Sequence, residues 1–545
     1  MSTLSLLMTL LTAAIPLSLA IAAVVAGLGG RFSSLREDVR WSFAWGATLL
    51  VSLLTVILAA WVSIQAVSSA SNGLLGQAPG TEPMLWLSLD PLRLILLALL
   101  SVMGMVVVKY SRRFLANDPG FGRYLRWLLL TLAAVALVFV SDNLVLFALG
   151  WISISLSLHQ LLMFFPDRPR AALAAHKKFL LARVAETSLV AAFVLLWHYH
   201  DSASIREIVA IYRGPVELSW QEQLAAIFIA VTALIKCAQL PVHGWLMQVV
   251  EAPTPVSALL HAGVINLGGL LLILFAPLIL QAAAAQWLVL IVAGLTTVLA
   301  ALIMSTRVSI KVRLAWSTSA QMGLMLLECA LGLIELALLH LLAHSAYKAY
   351  AFLTAGSEVH QYIHRSMVNL QEPEAWHWWS ALPPALLLTA TGWYVSDFWH
   401  AAYQPVSAWL LLALALTALI AMRGAVVGLL SSVALATLMA AVYVLLKTLL
   451  VPVVGRLDPA VAPGLLGPAD IWGLVLFAAL FALWWALRWR PQWPWVQSLS
   501  VALFAGLYLD EWFTRTTLRL WPAHLPQRAN PKRSYLSAAR EEKAL

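Results

Sequence analysis

Long apolar segments separated by short polar loops run from the first residues of the chain to about residue 490. A helix needs about 20 apolar residues to cross a membrane, and because lipid offers the backbone no hydrogen-bond partners, continuous runs of this length fold as helices. The pattern predicts an all-α polytopic membrane protein with about 14–16 transmembrane helices. Candidate spans lie near residues 4–27, 41–66, 85–108, 124–141, 143–165, 172–198, 223–240, 256–280, 286–305, 313–333, 334–356, 381–402, 406–429, 431–452 and 470–488, with a less regular one near 496–514.

The composition supports this fold class. Of the 545 residues, 62% are hydrophobic and only 11% are charged, whereas an ordinary soluble domain has about 25% charged residues. A soluble globule could not cover so much apolar surface with so few polar residues. The composition therefore excludes a soluble enzyme, a disordered chain and a nucleic-acid-binding protein.

Basic residues in the loops predict the orientation of the chain, because Lys and Arg concentrate on the cytoplasmic side. The loop near 68–83 has no basic residue, and the basic loops fall on the opposite side of the predicted spans. We therefore expect the N-terminus outside. A basic tail at 528–543 breaks the alternation unless the segment at 496–514, which contains charged residues, is interfacial or re-entrant, so we expect a cytoplasmic tail. The basic loops lie at 31–40, 109–113, 168–170, 307–313 and 488–490.

Charged and titratable residues inside the predicted spans form the most informative polar pattern, since each costs about 2.5–3.5 kcal/mol to insert and such residues tend to mark ion routes. His340, His344 and Lys348 recur every fourth residue, which places them on one face of a helix. Two imidazoles and an ammonium suit a proton relay, because histidine titrates near neutrality and a desolvated lysine can lose its proton. The alternative is that they only hydrogen-bond neighbouring helices. The other within-span charges are Lys177, Lys178, Arg183, Glu186, Lys236, His261, Glu328, Asp397, His400 and Lys447.

Prolines predict breaks in several of these helices. Pro241 follows Lys236 by five residues, Pro253 and Pro255 open the next segment, and Pro383-Pro384 stand early in a later span. Proline frees backbone carbonyls, and broken helices at membrane depth persist where they are buried or line a watery cavity. A lysine beside such a break can face internal water. A simple packing kink is the alternative.

The run Lys236-Cys237-Ala238-Gln239-Leu240-Pro241, followed by Trp245 and by the run from Glu251 to Ala262, resembles the antiporter-like membrane subunits of respiratory complex I and of Mrp-type cation/proton antiporters. The resemblance covers roughly residues 85–400. Further matching positions are Asp142 to Leu144, Leu149 to Trp151, Lys178, Arg183, Glu186, the region 309–323, His340, His344, Lys348, Gly356 and Ser357.

This resemblance implies two inverted five-helix repeats with broken helices, and it implies roles for individual residues. Lys236 would be the central proton-handling lysine at a broken helix, and His261 would link it onward. Asp397 would lie near the exit. The remaining implied members of a hydrophilic axis are Lys311, His340, His344 and Lys348.

Two positions depart from the family pattern. The family usually has a glutamate directly after Gly-Trp, and this chain has Ile152 there. Without that acid, we expect Glu186, or Glu251 as the alternative, to stabilise the ammonium of Lys236. The exit lysine is also missing, because Ser396 precedes Asp397.

The ending of the chain is shorter than that of complex I subunits and resembles the membrane subunits of the DAB inorganic-carbon accumulation complexes. That resemblance implies a subunit that conducts ions, with protons expected, across a prokaryotic inner membrane. It also implies a cytoplasmic partner similar to a zinc β-carbonic anhydrase, which would hydrate CO2 so that bicarbonate accumulates. Two cysteines in separate helices offer no zinc site, so we expect no metal, cofactor or catalytic residue here; lipid is the other partner.

Two other functions stay open from the sequence: a proton- or sodium-pumping subunit of a respiratory, hydrogenase-linked or Mrp complex, and a membrane anchor whose channel has decayed. The buried stripe at 340–348 argues against the anchor, because a decayed channel would lose costly buried charges. We divide the chain into N-terminal transmembrane helices (1–110), an antiporter-like conducting core (111–402), C-terminal transmembrane helices (403–490) and an interfacial or re-entrant segment with a basic tail (491–545).

Overall fold

A computed structural model describes residues 3–27, 37–71, 86–165, 168–357, 374–400, 405–422, 428–455, 461, 464 and 466–521. The basic tail at 528–543 and the first part of the basic loop at 31–40 lie outside these residues. Within the described ranges the chain is helical apart from its loops and two isolated β-bridges, Leu87 with Ser141 and Asn143 with Ser204. The all-α prediction is confirmed.

The first half of the described structure consists of eleven helices, of which the last three, beyond Lys236, are short pieces of 5, 9 and 8 residues. In chain order they are α1 (Thr3–Gly27), α2 (Glu37–Ser71), α3 (Pro91–Phe114), α4 (Phe121–Val140), α5 (Leu144–Leu162), α6 (Pro169–His200), α7 (Ile205–Ile211), α8 (Trp220–Lys236), α9 (Gly244–Gln248), α10 (Thr254–Ala262) and α11 (Leu267–Leu274).

The second half contains two long antiparallel helices, α14 and α15, of which α15 carries the predicted histidine and lysine stripe. In chain order its helices are α12 (Ala276–Gln281), α13 (Ala283–Ser305), α14 (Ile310–Ala330), α15 (Ile334–Thr354), α16 (Ala375–His400), α17 (Val406–Ala421), α18 (Leu429–Val454), α19 (Pro468–Trp489), α20 (Pro494–Phe504) and α21 (Leu509–Leu520).

Ten segments among the described residues are long and apolar enough to cross a membrane: α1 to α6, α10 together with α11, α13, α18 and α19. Helices α14, α15 and α16 have 21, 21 and 26 residues but carry more charged or polar side chains. Helices α8 and α17 have 17 and 16 residues. The chain is therefore a multi-span membrane protein, while the count of 14–16 spans and the inverted repeats stay predictions.

The helix that begins at Trp220 ends at Lys236, and the chain then runs through a non-helical stretch to Gly244, where α9 begins. This stretch contains a cis peptide bond before Pro241 and a left-handed residue, Ala238. Pro253 and Pro255 do not interrupt a helix: Pro253 caps α10 and Pro255 lies in its first turn, where a missing N–H costs nothing. A second irregularity, the 3₁₀ turn Val264–Asn266, separates α10 from α11.

The expected break at Pro383-Pro384 is wrong, because α16 is continuous through both residues. Adjacent prolines remove only the N–H donors that would bond the carbonyls one turn earlier. Most of the other hydrogen bonds of a 26-residue helix can therefore persist on either side.

The C-terminal segment folds as two short helices, α20 of 11 residues and α21 of 12 residues. Gly506, Leu507 and Tyr508 are all left-handed, and they turn the chain between the two helices. Neither helix reaches the about 20 residues that a span requires. Helix α21 packs against α6 and α9, which brings the C-terminal segment under the helix break.

Candidate proton-conducting site

Most of the titratable residues predicted from the sequence lie in two clusters of the described structure. The first cluster comprises Lys178, Arg183, Glu186 and Lys236 with Trp151 and Ser155, on α5, α6 and α8. The second cluster comprises His261, Glu328, His340, His344 and Lys348, on α10, α14 and α15. Helices α6 and α8 pack against each other, as do α14 and α15, so each cluster lies at a helix interface.

Lys236 stands at the end of α8 and lines a cavity of about 20 Å³. Lys178, Glu186, Trp151 and Trp245 line the same cavity. About 10–15 Å³ suffices to hold one water molecule if polar partners surround it. The helix break therefore places an ammonium group beside a cavity large enough for water.

The ammonium of Lys236 lies 4.7 Å from the centre of the Trp151 ring. Within the described part of the chain, no carboxylate lies within ion-pair distance of it. Glu186 instead pairs with Arg183 at 2.7 Å, and its second oxygen, Oε1, is buried with no hydrogen-bond partner among the described residues. Glu186 and Lys236 thus share a cavity without direct contact, and the Trp151 ring faces the ammonium in a cation–π contact. Glu251, the alternative partner, is half-buried in the 3₁₀ turn before α10.

Ser155 on α5 binds both other cations of the first cluster. Lys178 donates to its carbonyl oxygen at 2.7 Å and to its hydroxyl at 3.1 Å, and Arg183 donates to the hydroxyl at 3.1 Å. Ile152, which stands where the family has an acid, is half-buried and does not line the cavity. One turn of α5 therefore presents a ring at Trp151 and a hydroxyl at Ser155 to the cluster.

Asp510 at the start of α21 binds the region beside the helix break. Lys177, with a side chain that is 0% exposed, donates to both carboxylate oxygens of Asp510 at 2.9 Å and to Thr514 at 2.6 Å. Gln248 of α9 donates to the same carboxylate at 3.1 Å. A Cβ atom at Gly244 would overlap this carboxylate, so the close approach requires glycine. We call these contacts the C-terminal clamp; the local sequence gives no signal for the pairing.

The second cluster forms a row of hydrogen bonds between α14 and the helices around it. Lys348 donates to the Ser317 hydroxyl at 2.7 Å and to the Leu314 carbonyl at 3.2 Å. His344 Nδ1 lies 2.8 Å from Gln321 Oε1, and His340 Nδ1 lies 3.1 Å from a Glu328 oxygen. His340, His344 and Lys348 therefore lie along one face of α15, as their spacing predicts.

His261 of α10 joins the same row. Its Nδ1 lies 3.1 Å from the Thr318 hydroxyl, and its ring stacks on Phe352 with centroids 4.3 Å apart. The Thr318 hydroxyl donates its own hydrogen to Leu314, so it accepts from His261 Nδ1–H. The structure therefore connects His261 to the second cluster and not directly to Lys236.

All three histidines share one arrangement. Each has an oxygen of α14 beside Nδ1, and an amide or carboxylate oxygen can only accept, so Nδ1 donates. The Nε2 atoms of His261 and His344 are buried without a partner among the described residues. A ring that donates from one nitrogen and keeps the other bare can accept a proton on one side and release one on the other.

Two predicted residues lie apart from this row. Lys311 is half-buried at the first turn of α14, where it donates to Thr254 at 3.3 Å. Asp397 belongs to the last turn of α16, and its side chain lies outside the described part of the structure. Glu328 was noted in the sequence only as a buried charge, and its pairing with His340 could not be read from spacing because the two residues lie on different helices.

No group of three or more metal-ligating side chains occurs in the residues that the structure describes. Cys237 and Cys329 are both buried free thiols. The described donor set therefore consists of lysines, histidines and carboxylates suited to carrying protons.

Comparisons with known proteins show the family of the chain. A sequence profile of the family described as "NADH:quinone oxidoreductase/Mrp antiporter, TM" matches residues 141–376, which contain both clusters. The chain is 45% identical to a probable inorganic carbon transporter subunit DabB of Hydrogenovibrio crunogenus, over 91% of this chain and 94% of that protein. It is 34% identical to a probable inorganic carbon transporter subunit DabB2 of Halothiobacillus neapolitanus, over 94% of each.

The fold is also similar to a solved structure, the Mrp complex from a Dietzia species. The TM-score is 0.54 at 21% identity, and the match covers 97% of this chain and 60% of that one. This likeness concerns the fold alone. Since the relatives are subunits of transport complexes, the expectation of a transporter subunit and not an enzyme is confirmed. The chain belongs to the antiporter-like membrane subunits that include the DabB proteins, and it is an ion-conducting subunit of a larger complex.

Proposed function

We propose that this subunit conducts protons through its two clusters and that the proton flow drives a cytoplasmic partner, similar to a zinc β-carbonic anhydrase, to hydrate CO2 in one direction. The observation that carries the proposal is 45% identity over 91% of the chain to a probable inorganic carbon transporter subunit, in a chain with two buried titratable clusters. Burying histidines and lysines inside a membrane costs free energy, and such residues tend to mark ion or proton pathways.

The chemistry assigns separate tasks to the two subunits. CO2 and water give bicarbonate and one proton, so a partner whose hydration step is coupled to downhill proton flow would run net hydration in one direction. Zinc lowers the pKa of its bound water to about 7, which makes it the usual catalyst for this step. Under this proposal the zinc site belongs to the partner.

The proposed location is a prokaryotic inner membrane with the N-terminus outside and the C-terminal tail in the cytoplasm. Basic residues support it: Arg112 and Arg113 end α3, and Lys311 and Arg313 begin α14. In inside-out vesicles, protease should remove an epitope placed after residue 545. A protected epitope would contradict the orientation.

The test uses cells that carry the complete complex and measures the initial rate of uptake of labelled inorganic carbon. Lys236→Ala should abolish uptake, and so should an uncoupler that dissipates the membrane potential. Lys109→Ala is the matched control, because Lys109 is exposed at the end of α3. Uptake that persists in Lys236→Ala, with normal membrane abundance, would refute the coupling. An anchor without a channel would be insensitive to the uncoupler.

A proton- or sodium-pumping subunit is the second candidate, and the Mrp-type fold over 97% of the chain favours it. The two candidates differ in the partner. Purification from native membranes followed by mass spectrometry should recover a carbonic-anhydrase-like protein under the proposal. Quinone-binding or iron–sulfur subunits in its place would establish the second candidate.

A further inference from the structure

The row of hydrogen bonds along α14 ends in a carboxylate. Glu328 is 5% exposed, and its two oxygens lie 3.1 and 3.3 Å from His340 Nδ1. From Ser317 to Glu328 the helix rises about 16 Å, at 1.5 Å per residue, so the row follows the length of α14. Glu328 lies at the end of α14 opposite to Lys311.

Glu328 differs chemically from the other α14 partners of the row. Ser317, Thr318 and Gln321 offer hydroxyl and amide oxygens, which accept hydrogen bonds but do not hold an added proton near neutral pH. A carboxylate does take up a proton, and one buried beside an imidazole can exchange it with the ring. Glu328 is therefore the one described oxygen partner on α14 in this row that can receive a proton outright.

A second charged pair lies beyond it. Glu335 of α15 is 3.8 Å from Lys447 of α18. The His340 side chain is 14% exposed and that of Glu335 is 20% exposed. Polar groups therefore continue from Glu328 toward the end of the α14–α15 pair.

We propose that Glu328 is the terminal proton acceptor of the second cluster and that protons pass between the row and the membrane face at the α14–α15 connection. This rests on the proposed function. In the transfer step the Nδ1–H bond of protonated His340 breaks and an O–H bond forms on Glu328, which leaves a neutral imidazole and a neutral carboxylic acid. During inward flow the same steps run in reverse: the Glu328 carboxylate takes a proton from water at that face, and its O–H bond then breaks as the Nδ1–H bond of a protonated His340 forms. This route differs from the one at the end of α16, where Asp397 lies.

The test measures proton flux with a pH-sensitive dye in inside-out vesicles that contain the complete complex. Glu328→Gln keeps the size and can still hydrogen-bond His340, but it cannot accept the proton, so flux should fall at least about tenfold, a conservative figure for loss of an acid–base group. Glu328→Asp should restore part of the flux. Glu222→Gln is the matched control: Glu222 is 2% exposed and bonds Tyr212 and Ser219, away from both clusters, so flux should stay within about twofold of wild type.

A structural role for Glu328 predicts a different set of results. Under the proposal, the double variant Glu328→Gln/His340→Gln should be no slower than Glu328→Gln alone, because both changes remove the same transfer step. Under a purely structural role, the effects of the two substitutions on flux should add. Flux in Glu328→Gln within twofold of wild type, at equal membrane abundance, would overturn the inference. If Lys236→Ala also leaves flux intact, the proposed function itself fails; if only Lys236→Ala abolishes flux, the proposed function stands and Glu328 is not the acceptor.

Discussion

The two clusters hold buried charge in different ways. In the first cluster, three cations share one carboxylate, and that carboxylate pairs with Arg183 while Lys236 faces the Trp151 ring. In the second, each histidine and Lys348 has a side-chain oxygen of α14 as its own partner, and for His340 that oxygen belongs to Glu328. The first cluster is thus short of negative charge, whereas every cationic or imidazole side chain of the second has one hydrogen bond to α14.

This difference in pairing indicates which cluster could hold a proton and which could transfer protons along its length. Lys236 has no anion of its own and lies beside a cavity large enough for one water, with which its ammonium could exchange a proton. A row of paired donors and acceptors passes protons without moving large groups. The first cluster therefore has the features of a loading site, and the second those of a conduit.

The largest expected effect tests this contrast directly with Lys236→Met and Lys348→Met. Both variants should slow proton flux by at least about 100-fold, the lower range for removal of a proton-transfer group. Their stabilities should differ, because Lys236 has no described hydrogen bond, whereas removal of Lys348 leaves the Ser317 hydroxyl without its donor. We expect a loss of about 1–3 kcal/mol in the free energy of unfolding for Lys348→Met and none for Lys236→Met.

Dye-based flux assays and thermal unfolding in detergent measure the two quantities. Lys109→Met serves as the control in both, since Lys109 is exposed. Equal loss of stability in the two lysine variants would break the contrast between an unpaired and a paired cation.

The second prediction concerns the single carboxylate of the first cluster. Arg183→Ala leaves Glu186 buried with no described ion pair, which should cost about 2–3 kcal/mol, below the about 3–5 kcal/mol for a fully buried pair because Arg183 is 35% exposed. Adding Glu186→Gln should recover most of that loss, because no unpaired charge remains. Thermal unfolding of the two single variants and the double variant checks this, and a double variant that loses the sum of both single effects would contradict it.

The third prediction concerns the C-terminal clamp, which contacts the region of the first cluster and not the second. Asp510→Asn leaves Lys177 buried without its anion, so the clamp should weaken by about 1–3 kcal/mol. Limited proteolysis should then cut faster between residues 490 and 521. Glu511→Gln is the adjacent control: Glu511 is 60% exposed and pairs only at 3.7 Å with Arg515, so cleavage should be unchanged. Equal protection in Asp510→Asn would show that the clamp does not hold α21.

The sequence predicts those parts of the site that depend on spacing within one element. The four-residue spacing of the histidines and the lysine predicts the stripe on α15. The proline five residues after Lys236 predicts that α8 ends there. Contacts between distant elements could not be predicted this way: Lys177 and Asp510 are 333 positions apart, and the pair of His340 with Glu328 depends on how α14 packs against α15. Proline content alone predicts a break at Pro383, whereas α16 is continuous, because two adjacent prolines leave only a few carbonyls of the helix without a donor.

The smallest predicted effect tests whether the second cluster depends on each of its bonds. Thr318→Val keeps the shape of a buried side chain but removes the oxygen that accepts from His261 Nδ1–H at 3.1 Å. The ring still stacks on Phe352, so we expect a loss of only about 1 kcal/mol in the free energy of unfolding and a two- to fivefold slower flux, roughly the rate equivalent of that loss. Thr417→Val is the matched control, because the Thr417 hydroxyl is buried and bonds only the Ala413 carbonyl of its own helix. Equal flux in the two variants would mean that the His261 Nδ1–H bond to Thr318 is not needed for proton transfer. His261 would then lie outside the proton pathway of the second cluster.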